Sequence, residues 1–173
     1  MRYAFLFLMF GVSFALHGMA QPGSPDRRRP DYENRIELKG SLGYSNFIDD
    51  GSRPHFVTGG AARFRLFSGL GFEPELTYMY RSEHDRDILL IPNLIWEFRR
   101  HGRVVPYLIG GVGLLHHRET WGAYNRSGNY KIAQAGFGAK FFLGRRLFVA
   151  PEIRIGWEPH IRIAGTLGYV LKK

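Results

Sequence analysis

The sequence predicts an all-β fold: an eight-stranded antiparallel up-and-down transmembrane β-barrel with a filled polar lumen. Three observations predict it. Apolar and polar residues alternate with period two from Ile36 to Leu171, the signature of strands with two unlike faces. Gly stands at 22 and aromatics at 15% of the 173 residues, a composition that suits close-packed strands with ring-lined rims. No segment carries a helical period. No apolar run reaches the roughly 18 residues of a membrane helix, and the mean hydropathy is −0.22.

The chain opens with a different pattern. Arg2 precedes an apolar stretch, Tyr3 to Leu16, followed by Gly18-Met19-Ala20. A charged start, a short apolar run and small residues before a cut predict a signal peptide over 1–20 and an exported chain beginning at Gln21. Residues 21–35, QPGSPDRRRPDYENR, hold three prolines and the Arg27-Arg28-Arg29 run. That composition cannot bury apolar area and predicts a disordered linker. The domain proper is 36–171.

The first strand, from Ile36, sets Ile36, Leu38, Leu42 and Tyr44 against Glu37, Lys39, Ser41 and Ser45. The second, His55–Phe67, sets Phe56, Phe64 and Leu66 against His55, Arg63 and Arg65. The third, Leu70–Arg81, sets Leu70, Phe72, Leu76, Tyr78 and Tyr80 against Glu73, Glu75 and Thr77. The fourth, Ile88–Arg99, sets Ile88, Leu90, Leu94, Trp96 and Phe98 against Asn93 and Glu97, with Leu89, Ile91 and Ile95 diluting the polar face. In the fifth, Val104–His116, Val105, Tyr107, Ile109 and Leu115 form the apolar face. The sixth, Tyr130–Leu143, sets Ala135, Phe137 and Phe141 against Gln134 and Lys140. The seventh, Leu147–Trp157, sets Val149, Ile153, Ile155 and Trp157 against Glu152 and Arg154. The eighth, His160–Leu171, sets Ile161, Ile163, Leu167, Tyr169 and Leu171 against Arg162 and Thr166.

Long links (48–54, 82–87, 117–129) alternate with tight ones (Ser68-Gly69, 100–103, 144–146), and only Glu158-Pro159 breaks the rule. Long outer loops and short periplasmic turns are the habit of outer-membrane barrels. Period two does not itself say which face points out, because a soluble lipocalin-like ligand-binding barrel is apolar inside. Three features favour apolar outward. The polar face carries Glu37, Glu73, Glu75, Glu97 and Glu152 against Lys39, Arg63, Arg65, Lys140, Arg154 and Arg162, the near-balance a closed interior requires. The strands have the length of tilted membrane strands. Aromatics (Tyr44, Phe67, Tyr78, Tyr80, Trp96, Phe98, Tyr107, Trp157, Tyr169) sit near strand ends as interfacial girdles. These eleven charged residues are the candidate site: a structural lumen network.

The segments GFEPELTYMY (71–80), VPYLIGGVGL (105–114), GFGAKFFLGRRLFVAPEIRIGW (136–157) and IAGTLGYVL (163–171) resemble the small outer-membrane β-barrel superfamily of OmpA-like, porin-family domains. The resemblance covers nearly all of 36–171. It implies an integral protein of the cell outer membrane with a structural, adhesive or narrow-pore role. The implied partners are outer-membrane lipids and lipopolysaccharide, and the barrel-assembly machinery during insertion. Members usually end in an aromatic residue that this machinery reads. Here Tyr169 and Leu171 precede Lys172-Lys173, so recognition is expected to rest on those two.

Chemistry is sparse. With no Cys, a Cys nucleophile and a Cys-based metal site are excluded. His116-His117 with Glu119 has metal-ligand residue types, but adjacent strand residues point to opposite faces. His84, Asp85 and Asp87, and Asp49-Asp50-Gly51, read as loop and turn residues. Lipid A deacylases also use eight-stranded barrels, with a Ser/His pair, and such a hydrolase is the rival reading. The nearest match, His160-Ile161-Arg162, lacks the Ser, and the serines beyond Gly69 are Ser82 and Ser127. No Ser is expected beside a strand-borne His. The reading is therefore no enzyme, no cofactor and no metal. The net charge of +9 invites nucleic acid, but export and the absence of a basic helix exclude it. A monomer is expected. The basic turn residues Arg99, Arg100, Arg103, Arg145 and Arg146 are expected to meet anionic lipid.

Overall fold

The structure, a computed structural model, describes residues 36–47, 54–67, 69–82, 85–98, 102–121, 124–157 and 160–171. The signal peptide and linker expected over 1–35 lie outside the described residues. The eight strands are β1 (Ile36–Phe47), β2 (Pro54–Phe67), β3 (Leu70–Ser82), β4 (Asp85–Glu97), β5 (Val104–Trp121), β6 (Tyr124–Phe142), β7 (Leu147–Gly156) and β8 (His160–Leu171). They form one closed barrel in sequence order, every neighbour antiparallel. Ile36 pairs with Phe64 of β2 on one side and Leu171 of β8 on the other, which joins the last strand to the first. Closure leaves no free sheet edge around the wall.

Seven strands turn the faces the alternation predicts. Leu42, Leu76, Leu94, Phe137, Ile155 and Ile163 point outward and are exposed. Glu73, Glu75, Asn93, Lys140, Arg154 and Arg162 point inward and are buried. The exterior carries aromatic residues at both ends of the wall: Phe67, Trp96, Phe98 and Tyr169 near the tight turns, Tyr44, Phe56, Tyr78, Tyr80 and Trp157 near the other rim. Tyr44 and Phe56, cross-strand neighbours, meet edge to face at 5.9 Å.

β5 corrects the expectation. Val105, Tyr107, Ile109 and Leu115 face the lumen and are buried, whereas Val104, Leu108, Val112 and Leu114 face out. Both faces of this strand are apolar, so alternation alone could not orient it. Tyr107 therefore belongs to the interior and not to an aromatic girdle. A second correction concerns the links. Most of 82–87 and 117–129 is strand: β3 and β4 extend to Ser82 and Asp85, β5 and β6 to Trp121 and Tyr124, with Glu119 paired to Asp85 and to Arg126. In this ribbon the ladder continues where the apolar alternation of the sequence ends.

The interior holds two apolar clusters. Near the turn rim, Ile95, Tyr107, Ile109, Phe148, Ala150 and Val170 pack together. Toward the far rim, Val57, Met79, Leu89, Ile91, Leu115 and Ile132 form the other. Inward glycines make room for large side chains: a Cβ at Gly138 would lie 2.6 Å from the Tyr107 ring, and one at Gly168 would strike the Phe148 ring.

Candidate functional site

All eleven charged lumen residues face inward, and ion pairs join them into two groups. Near the turn rim, Arg63 of β2 is the hub. Its Nε donates to Glu73 Oε2 at 2.6 Å, its Nη1 donates to Glu97 Oε1 at 3.1 Å, and Glu37 Oε2 lies 3.6 Å from Nη1. Lys39 Nζ donates to Glu73 Oε1 at 2.7 Å. Arg65 Nη2 donates to Glu97 Oε2 at 2.8 Å. Lys140, from β6 across the barrel, donates to both Glu37 oxygens at 2.7 and 2.6 Å and to Glu97.

The second group lies deeper. Arg154 of β7 and Arg162 of β8 stand directly opposite in the ladder. Like charges in that position repel. Glu75, reaching across from β3, resolves the conflict: Oε2 lies 2.6 Å from Arg154 Nη1 and Oε1 lies 2.6 Å from Arg162 Nη2. Thr77 Oγ1 and Asn93 Nδ2 donate to the same carboxylate at 2.9 and 3.1 Å. Arg154 also holds Glu152, through Nε at 2.7 Å and Nη2 at 2.6 Å. Tyr107 joins the groups. Its hydroxyl donates to Glu152 Oε2 at 2.8 Å, and the Arg63 guanidinium sits 4.9 Å from its ring centre.

This arrangement clamps strands that are not neighbours: β3 to β7 and β8, β6 to β1 and β4, β5 to β7. It also obstructs the lumen. One recess at the turn rim, bounded by Glu37, Arg63, Arg65 and Glu97, holds about 10 Å³, room for about one water.

The remaining sequence candidates separate. His116 points out and its Nδ1 hydrogen-bonds Asn129 Oδ1 at 2.7 Å; His117 points in and its Nδ1 hydrogen-bonds Asp87 Oδ1 at 2.6 Å. Among the described residues no three His, Asp or Glu side chains converge on a metal-sized site. The expectation that no Ser lies beside a strand-borne His is corrected. The β1–β2 register sets Ser45 opposite His55, both inward and buried. Ser45 Oγ has no hydrogen-bond partner among the described residues. Only the pairing of two strands, invisible to a linear scan, brings them together. Sequence reasoning also missed Tyr107, whose signal was the parity it shares with Gly111 and Gly113.

A closed eight-strand wall with apolar residues outside and paired charges inside is the fold of the small outer-membrane β-barrels. Solved structures of that kind superpose on it. The N-terminal β-barrel domain of Pseudomonas aeruginosa OprF matches with a TM-score of 0.68 at 15% identity, covering 80% of this chain and 98% of that one. Neisserial surface protein A matches with a TM-score of 0.66 at 12% identity, covering 78% and 95%. Ail, the attachment invasion locus protein of Yersinia pestis, matches with a TM-score of 0.59 at 13% identity, covering 80% and 99%. No family model and no curated protein sequence matches the chain.

Proposed function

We propose that this protein is an integral outer-membrane barrel with a structural and adhesive role, its lumen a fixed charged plug, and that it is not an enzyme. The carrying observation is the inversion of an ordinary soluble protein. Large apolar side chains such as Val112, Ile163 and Leu42 stand outside at 67%, 61% and 59% exposure, while Glu73, Lys140, Arg154 and Arg162 are buried inside. A lipocalin-like barrel requires the reverse. In water this wall is an apolar patch far beyond what a soluble monomer exposes; in a bilayer it is the lipid contact.

The plug argues against a conducting pore, since charged groups bonded to one another fill the space an ion would cross. Adhesion is favoured by the β5–β6 ribbon: β5 and β6 have 18 and 19 residues, whereas β7 and β8 have 10 and 12. The extra length lifts hydrogen-bonded strands beyond the shorter wall, and the similar fold of Ail belongs to a protein named for attachment. The ribbon and loops are then outside the cell, and the tight turns face the periplasm.

Refolding into detergent tests the reading. The expected result is a heat-modifiable band on gels, outer-membrane fractionation in cells, and no steady conductance across planar bilayers. A monodisperse protein in detergent-free buffer overturns the membrane reading, and steady channels overturn the plug. Fatty-acid release from lipopolysaccharide, abolished by His116→Ala or His160→Ala, makes it a hydrolase instead.

A further inference from the structure

One rim of the barrel carries a cluster of exposed arginines beside an apolar belt. On the rim that carries the tight turns and both ends of the strand order, Arg103, Arg145 and Arg146 are exposed. Their turns are adjacent. Val104 pairs with Phe141, and Phe142 N donates to Arg103 O at 2.9 Å. The β6–β7 turn closes with Leu143 N donating to Leu147 O at 3.0 Å. Arg146 is tied to the last strand twice, through Val170 N to Arg146 O at 2.8 Å and Arg146 Nη1 to Tyr169 Oη at 3.1 Å. The stretches 98–103, 143–147 and 171–173 contain no Asp or Glu. Toward the opposite rim, Arg86, Arg118 and Lys131 are exposed and Asp87 is buried.

We infer that the turn rim is a docking surface for anionic phospholipid headgroups of the inner leaflet, with Arg103, Arg145 and Arg146 as its cationic contacts. The inference rests on the membrane reading above and deepens it by naming the lipid class and the leaflet. Three features support it. The arginines stand immediately beyond an exposed apolar belt of Phe98, Phe141, Leu143, Leu147 and Tyr169, which places them at headgroup depth when that belt is in hydrocarbon. Guanidinium groups match phosphate in charge and in their forked donors. Tyr169 holds Arg146 against the wall, so one contact is partly pre-oriented.

The test uses the refolded full chain in mixed micelles holding equal phosphatidylglycerol and phosphatidylcholine, released into native mass spectrometry. The expected result is several-fold more phosphatidylglycerol than phosphatidylcholine retained. The triple variant Arg103→Gln, Arg145→Gln, Arg146→Gln is expected to retain the two equally, and the corresponding triple Lys variant to keep the preference. A triple variant of the other rim, Arg86→Gln, Arg118→Gln, Lys131→Gln, is expected to behave as wild type. Equal retention by the wild type, a preference that survives the turn-rim Gln variant, or an equal loss in the other-rim variant overturns the inference. Heat-modifiable bands for all four proteins separate that failure from failure of the membrane reading, in which the wild type itself forms no such band.

Discussion

The charged network and the apolar clusters of the lumen solve the same packing problem with opposite materials. Near the turn rim, Arg63, Lys39, Lys140, Glu37, Glu73 and Glu97 bring in charge, and Glu75, Arg154 and Arg162 do so deeper. Ile95, Tyr107 and Phe148 near the turn rim, and Val57, Met79, Leu89, Ile91, Leu115 and Ile132 toward the far rim, fill the rest with apolar groups. An apolar interior inside an apolar exterior gains nothing from the bilayer, since lipid is as oily as the cluster. Charges, by contrast, can be satisfied only inside, which fixes which face each strand turns. The charged network therefore specifies orientation and register, and the apolar clusters fill volume. A one-residue slip of β2 would carry Arg63 from Glu73 and Glu97 into lipid, whereas the same slip at Val57 would exchange it for Phe56 or Thr58.

The contrast breaks most visibly at the hub. Arg63→Ala takes one of two cations from Glu73 and one of three from Glu97, and removes the cation over Tyr107. With the remaining cations in place the loss is expected at the lower end of the range for breaking a buried pair, about 3 kcal/mol. Denaturant unfolding in detergent, followed by tryptophan fluorescence, is expected to show that loss, with little relief from added salt because the pairs are buried. A loss below about 1 kcal/mol, the scale of an exposed pair, would mean that water already solvates this network.

Leu89→Ala probes an apolar cluster. The side chain is 1% exposed among the far-rim cluster, and truncation opens a cavity costing about 2–4 kcal/mol. Unlike Arg63→Ala, it is expected to leave the register intact, so the amide spectrum in detergent should shift only near Val57 of β2 and Met79 of β3. Widespread shifts along β1 and β2 would give the apolar clusters a specifying role as well.

Legibility in the sequence follows the same division. Strands that bring a charge into the lumen were readable, because a carboxylate or guanidinium every second residue fixes the parity of the whole strand. β5 brings none. Its lumen row, Val105, Tyr107, Ile109, Leu115, and its outer row, Val104, Leu108, Val112, Leu114, are alike in hydropathy, and its face was misjudged. The surviving clue was glycine. Gly43, Gly59, Gly71, Gly136, Gly138 and Gly168 all share the parity of lumen residues, as Gly111 and Gly113 do in β5. The ribbon was unreadable for a different reason: the sequence from His117 to Asn129 carries no apolar alternation to mark it as strand. Pairing across the barrel, such as Glu75 between Arg154 and Arg162, has no linear signature.

The subtlest test falls where the two ion-pair groups meet. Tyr107 touches both, donating to Glu152 and lying under Arg63. Tyr107→Phe keeps the ring, and with it the packing and the cation contact, but removes the donor. Glu152 still has Arg154 at 2.7 Å, so its charge stays paired and the loss is that of one hydrogen bond to a charged group, about 1.5–3 kcal/mol. Glu152→Gln removes the charge instead. If the hydroxyl serves only Glu152, the double variant is expected to cost less than the two single losses together, by an interaction energy of about 1 kcal/mol. Strict additivity would show that Tyr107 supports the lumen by bulk alone. An Arg63→Ala background sharpens the result: the Tyr107→Phe penalty should persist there if the two groups are joined only through the ring, and vanish if losing the hub lets Glu152 turn away from the hydroxyl.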